Sequence, residues 1–254
     1  MNKPAQLKTW ERQYYEPGGG DAFLFYAIFG KFPDPLDLSP AKYRSRGVPQ
    51  ELQVGLHREW QGEPQIKVFT EGYLGEMLAG MPELRKAIMS APECITIAGT
   101  IPDPANLNYL RDTVGVITAL FANGAVGVYD PQRFAWWNSA TWTERMFLPN
   151  AVVPRNHCII LVSEDAESRE TRWLHTRGLR KFGRRDISIR GVPKEYIETA
   201  TEICNRFIDH QAFGLIVPDG QLIRVDGLSD EIVCRHAGDL EDPDFNNVHI
   251  EIRL

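Results

Sequence analysis

The sequence predicts an α+β fold: an antiparallel-rich mixed sheet with two helices on one face, built from two duplicated strand-helix-hairpin units. Three observations carry this. Ile95-Thr96-Ile97-Ala98-Gly99 and Ile187-Ser188-Ile189-Arg190-Gly191 are similar β-type runs that end in glycine, and each has a proline shortly after it (Pro102, Pro193). Each then leads into apolar residues at helical spacing. The interval from the first glycine to the next one is also alike, 25 residues from Gly99 to Gly124 and 23 from Gly191 to Gly214. Two such units naturally share one sheet.

In the first unit the helix is expected from about 104 to 123, with Asp103 as N-cap and Pro104 at the first helical position. Leu107, Leu110, Val114, Ile117 and Phe121 form its apolar face, and Gly124 stops it. A strand from Ala125, a turn at Asp130-Pro131-Gln132 and a returning strand through Trp136 and Trp137 complete the unit. Those two tryptophans must face opposite sides of their strand; core packing or a lined groove are both open to them. In the second unit the helix is expected over 193 to 212, with Ile197, Ala200, Ile203, Cys204, Phe207 and Ile208 inward and Gly214 as its stop. Leu215-Ile216-Val217, the turn Pro218-Asp219-Gly220 and Leu222-Ile223-Arg224-Val225 read as its hairpin.

Cys158-Ile159-Ile160-Leu161-Val162 is continuously apolar and reads as a central strand. Residues 248 to 254 alternate and read as a half-buried strand. Residues 66 to 254 form the duplicated domain on this reading, and 1 to 65 a loop-rich N-terminal arm packed on it. That arm has prolines at 33, 35, 40 and 49, yet Phe23-Leu24-Phe25-Tyr26-Ala27-Ile28-Phe29 within it has the composition of a buried strand. Ile66-Lys67-Val68-Phe69 reads as a strand, and 73 to 89 as helix broken near Gly80 and Pro82.

The net charge of −6 argues against general nucleic-acid binding, and no segment has the apolar length of a transmembrane helix. With no apolar leader after Met1, the cytoplasm is the expected location. The four cysteines, at 94, 158, 204 and 234, lack zinc or redox spacing and read as buried small hydrophobes. No phosphate-binding glycine loop and no G-x-S-x-G elbow is present, so no cofactor is implied.

Charge is distributed unevenly. From Arg169 to Arg190 there are eight basic residues against Glu170 and Asp186, a local +6, which leaves −12 for the rest of the chain. Such a window attracts an anion or an acidic partner. It can equally pair with residues 226 to 244, which hold seven acids (Asp226, Asp230, Glu231, Asp239, Glu241, Asp242, Asp244) and the single base Arg235. Arg177, Arg180, Arg184 and Arg185 are the candidate ligand-binding residues, since guanidinium groups suit carboxylates and phosphates. His175 and Asp186 are the candidate acid-base pair if the protein is an enzyme. A metal set of His175, His236 and Asp186 has no ligand spacing behind it.

Thr176-Arg177-Gly178-Leu179-Arg180-Lys181-Phe182-Gly183 resembles the T-x-G-[LM]-x-x-F-G signature of bacterial domains of unknown function. A proline and a glutamate often follow the second glycine there, where this chain has Arg184, Arg185 and Asp186. The resemblance implies a shared turn built on Thr176, Gly178, Phe182 and Gly183, and no activity. The function expected from the sequence is non-enzymatic binding of an acidic protein or a small anion, as an immunity or accessory protein would need. The alternative is a hydrolase or transferase acting on a phosphorylated or carboxylated small molecule.

Overall fold

The computed structural model describes residues 7–36, 38–166, 168–224 and 231–253. The chain divides into two compact units. One comprises residues up to Glu11, Leu24–Ile101 and Asn106–Val153; the other comprises Arg12–Phe23, Pro102–Ala105 and residues from Pro154 onward. Both are mixed α/β with mostly antiparallel strands.

Among the described residues, the first unit holds a five-stranded sheet of β1 (Ala22–Gly30), β2 (Leu52–Arg58), β3 (Glu93–Ile101), β4 (Ala125–Asp130) and β5 (Ala135–Trp137), in the order β2-β3-β1-β4-β5. Its helices are α1 (Pro40–Tyr43), α2 (Pro64–Lys67), α3 (Gly72–Ala79), α4 (Pro82–Met89), α5 (Asn108–Ala122) and α6 (Ser139–Trp142). The aromatic run of β1 becomes the central strand, with Tyr26, Ala27, Ile28 and Phe29 all fully buried. A strand covered on both faces needs such unbroken apolarity. Residues 1 to 65 therefore contribute a central strand and an edge strand to this sheet, which corrects the expectation of a peripheral arm.

Aromatic side chains fill both faces of that sheet. Phe29 meets Trp60 at 5.0 Å and Trp136 at 5.7 Å, in a cluster completed by Ile66, Leu78, Leu84 and Ile88. Trp142 meets Tyr26 (5.9 Å), Trp137 (6.2 Å) and Phe121 of α5 (6.4 Å). Trp136 and Trp137 thus point to opposite faces, as the pleat requires, and both are buried. The helix break at Gly80 and Pro82 also falls where the sequence places it.

Two local expectations in this part of the chain are corrected. Residues 66 to 69 are helical rather than extended, because Pro64 occupies the first turn of α2, where a missing N–H costs nothing and the preset φ suits a helix. Helix α5 begins at Asn108, not near 104. Asp103 is no N-cap: its φ is 23° and its carboxylate accepts from the Gly18 N–H at 2.7 Å and the Tyr15 hydroxyl at 3.3 Å.

The second unit contains α7 (Pro154–His157), β6 (Ile159–Glu164), β7 (Thr171–Arg177), β8 (Asp186–Pro193), α8 (Ile197–Ala212), β9 (Leu222–Ile223), β10 (Ile232–Val233), β11 (Arg235–Ala237) and β12 (His249–Arg253). Its main sheet runs β11-β12-β8-β7-β6, and among the described residues β9 pairs with β10 in a separate two-stranded sheet. Pairing is antiparallel except between β12 and β8. Helix α8 packs on β7 and β8 and buries Ala200, Ile203, Cys204 and Ile208.

The strands of the two repeats, β3 and β8, lie in separate sheets, which corrects the single shared sheet. Leu215-Ile216-Val217, expected as a strand, is not one; Arg184 Nε donates to Leu215 O (3.2 Å) and His236 Nε2 lies 2.8 Å from Val217 O, so side chains satisfy two of its carbonyls. No hairpin returns to β8, and β12 pairs there instead. Val225, Asp226, Asp230 and Leu254 lie outside the described residues. β6 is an edge strand rather than a central one, with Val162 half exposed. All four cysteines are buried and unbridged, and burial pushes the thiols of Cys94 and Cys204 up to about 12. No helix of the described residues is long and apolar enough to cross a membrane.

Candidate functional site

The basic window folds as the β7–β8 connection, and its glycines explain the turn. Gly178 has φ 111°, and a Cβ there would lie 2.5 Å from His157 O and 3.0 Å from Cys158 Cα. Gly183 has φ 62°, and its Cβ would lie 2.3 Å from Gly20 O. Both positions therefore combine a left-handed backbone with contact too close for a side chain. Between them Leu179–Phe182 makes one 3₁₀ turn, which drives Phe182 fully into the core.

Thr176 and Asp186 lock this turn from inside. The Thr176 hydroxyl donates to Asp186 Oδ1 at 2.8 Å and accepts from the Ile187 N–H at 2.8 Å. The Leu179 N–H also donates to Asp186 Oδ1, at 3.3 Å, and Asn247 Nδ2 donates to Oδ2 at 2.7 Å. Burial pushes the Asp186 carboxyl up to about 6, against the lowering effect of those three donors and of the Arg177 charge. The Thr and Gly positions of the signature-like string thus serve the turn.

His175 is placed elsewhere. Its ring stacks on Trp173 at 4.0 Å and meets Phe245 at 5.2 Å, and Phe245 in turn stacks on His249 at 4.0 Å. His175 Nδ1 is buried without a hydrogen-bond partner among the described residues. Burial, with help from Arg177 and Arg190, holds the imidazole down to about 4, so the ring is neutral at pH 7. The expected orientation of His175 by Asp186 is not made, because Thr176, the next residue on β7, is the one that faces Asp186, and His175 points to the opposite side, against Trp173 and Phe245. His236 turns to Val217 O, so the structure does not gather His175, His236 and Asp186 either.

The arginines bind main-chain carbonyls. Arg177 Nη1 donates to Pro243 O (3.3 Å) and to Asp244 O, while Arg180 Nη1 donates to Asn246 O at 2.8 Å. Arg184 is 3% exposed and reaches Gly183 O (2.7 Å), Gly214 O (2.9 Å) and Leu215 O (3.2 Å). Arg177 thus meets the acidic segment at its main-chain carbonyls. Asp239 and Asp242 instead use their carboxylates on the N–H groups of Glu241 and Asp244. Arg180 and Arg185 are the candidate arginines that remain partly exposed. The chain matches no family model, no curated protein and no solved structure.

Two features have no counterpart in the sequence reading. Arg12 is buried, with Nη1 on Pro104 O (2.7 Å) and Nη2 on Phe182 O (2.9 Å), a fourth arginine that donates to main-chain carbonyls. In the first unit, His57 Nδ1 lies 2.7 Å from Glu63 Oε2 and its Nε2 lies 3.0 Å from Thr96 Oγ1. That is the order of a carboxylate-histidine-hydroxyl relay. The hydroxyl, however, lies over Gly55, where a Cβ would come within 2.7 Å of it. We read the relay as a brace that ties the turn after β2 to β3. Neither feature has a sequence signal, since the partners lie up to 170 residues apart.

Proposed function

We propose that this chain is a non-enzymatic binding protein that meets an acidic protein surface or a small anion through Arg180 and Arg185. The observation that carries this reading is the commitment of Asp186: its hydrogen bonds to Thr176, Leu179 and Asn247 remove the partner that acid-base work by His175 would need. The alternative hydrolase or transferase loses part of its anion clamp as well, because Arg177 and Arg184 are buried on carbonyls, whereas Arg180, which also donates to one, stays partly exposed. A cytoplasmic location belongs to the same proposal.

The duplicated architecture belongs to it too. In each half a strand (β3, β8) pairs antiparallel with an earlier strand (β2, β7) and leads to a helix of 15 or 16 residues. Each helix ends at a glycine with φ near 107° or 109°. These parallels support an ancestral strand-helix-glycine unit, with its helix on one face of its own sheet.

Thermal-shift measurements against phosphate, sugar phosphates, dicarboxylates and acidic peptides test the binding surface. Ligand bound to the native state raises Tm by mass action. One anion class is expected to stabilise the wild type and to lose that effect in Arg180→Ala/Arg185→Ala. Arg184→Ala is expected to unfold more easily by about 2–3 kcal/mol whether or not ligand is present, because carbonyls lose a buried charged donor. Stabilisation that survives in the double variant would place the site elsewhere.

A further inference from the structure

The first unit contains a cavity of about 350 Å³. Its apolar wall includes Trp10, Tyr43, Val114, Met146 and Phe147, and its polar groups are Lys8, Arg44, Arg111 and Asn150. The volume lies at the lower end of small-molecule sites, and an apolar wall with few polar groups is their usual character. Ala41, Lys8 and Asn150 are exposed, so the cavity is reached from solvent. None of the described residues that line it is acidic.

The three cations differ in how they are held. Arg111 is buried and matched: Nε and Nη2 donate to Asp112 Oδ1 at 3.0 and 2.8 Å, and Nη1 donates to Lys8 O at 2.7 Å and Asn108 Oδ1 at 2.9 Å. Arg44 is not matched. Among the described residues it meets no carboxylate, and only its Nη1 finds acceptors, at 3.4 Å on Pro149 O and 3.2 Å on Asn150 Oδ1. Its guanidinium lies 4.1 Å from the centre of the Phe147 ring, and partial burial lowers its pKa. Nε and Nη2 remain as a planar donor edge, which is the geometry that carboxylates accept.

The backbone at Arg44 is a second and independent observation. It caps α1 with φ 50° and ψ 37°, a left-handed conformation in which glycine carries the least strain. A long charged side chain thus occupies a position where glycine would carry less strain. Strained positions of this kind concentrate at ligand sites.

We propose that this cavity binds a small organic carboxylate with an apolar body. The carboxylate lies between Arg44 and Lys8, and the body packs against Trp10, Tyr43 and Met146. A strongly hydrated inorganic dianion would gain nothing from that wall, whereas an apolar acid uses both parts of the cavity.

Titration calorimetry with phenylacetate, indole-3-acetate and octanoate, compared with phenylacetamide and inorganic phosphate, tests this. At least one of the acids is expected to bind saturably with Kd below about 1 mM, and phenylacetamide to bind roughly tenfold more weakly than phenylacetate. Arg44→Gly keeps the left-handed backbone, so it is expected to fold with little change in Tm and to lose roughly tenfold in affinity. Arg44→Lys should recover part of the loss and covers the case in which the glycine variant does not fold. The proposal is overturned by three results: no acid binds, phosphate binds as tightly as the acids, or both Arg44 variants bind like the wild type.

Discussion

Replacing Gly178 with alanine is expected to cost about 4 kcal/mol of stability, the sum of a left-handed backbone strain of ~1–3 kcal/mol and an overpacking cost of similar size. Neither cost can relax easily. At φ 111° any L side chain is strained, and the new Cβ would stand 2.5 Å from His157 O and 3.0 Å from Cys158 Cα, which are backbone atoms rather than flexible side-chain tips. The same turn carries the N–H of Leu179 to Asp186, so moving it also weakens that buried carboxylate's hydrogen bonding. Urea unfolding measures the effect, with Gly62→Ala as the control. Gly62 has no atom within 4 Å of its virtual Cβ and should change stability little. Equal midpoints for Gly178→Ala and Gly62→Ala would mean that the turn is not packed as described.

The second large effect is a pair of opposed pH dependences. Asp186 has a folded pKa near 6, above the ordinary carboxyl value, so the folded state binds the extra proton. Its contribution is therefore fully present below about pH 4 and is lost as pH rises through 6. His175 has a folded pKa near 4, below the ordinary imidazole value, so the unfolded state binds the extra proton. Its contribution is fully present above about pH 6.5 and is lost as pH falls through 4. Each is worth about 3 kcal/mol, and they work against each other over nearly the same window.

The wild type should consequently show a shallow profile that hides two steep ones. Asp186→Asn, measured by urea unfolding from pH 4 to 7, is expected to become markedly less stable as the solution is acidified. The buried His249 adds to that slope, because burial lowers its pKa too. His175→Phe keeps an aromatic ring against Trp173 and Phe245 and should show the reverse, with stability falling as pH rises. The slope is the readout rather than the absolute stability, since an amide at 186 would also set two donors facing each other at Asn247. Parallel profiles for the two variants would refute the buried assignments.

Several elements were legible because their causes are local. The inward residues of α8, the break between α3 and α4 at Gly80 and Pro82, and the opposite facing of Trp136 and Trp137 follow from helical period, proline chemistry and the pleat. The helix stops at Gly124 and Gly214 follow from the left-handed backbone that glycine adopts. In the candidate site, the glycines of the turn and the closeness of the basic window to the acidic segment were also readable. What Asp186 and the arginines bind was not. A run of guanidinium groups has the same composition whether it faces solvent or a set of carbonyls.

By itself, then, the sequence determined the α+β class, the inward face of α8 and the position of the Gly178–Gly183 turn, all of which depend on neighbours within a few residues, whereas α5 is buried on every side from Tyr109 to Leu120. Tertiary structure alone decided that β3 and β8 occupy separate sheets, that β12 lies parallel to β8, and that β6 is an edge. It also decided that Asp186 answers to Asn247, 61 residues away, and that Arg177 answers to Asp244, 67 residues away. Such pairings depend on which distant backbone groups still need a partner once the chain has closed, and local periodicity carries no record of that.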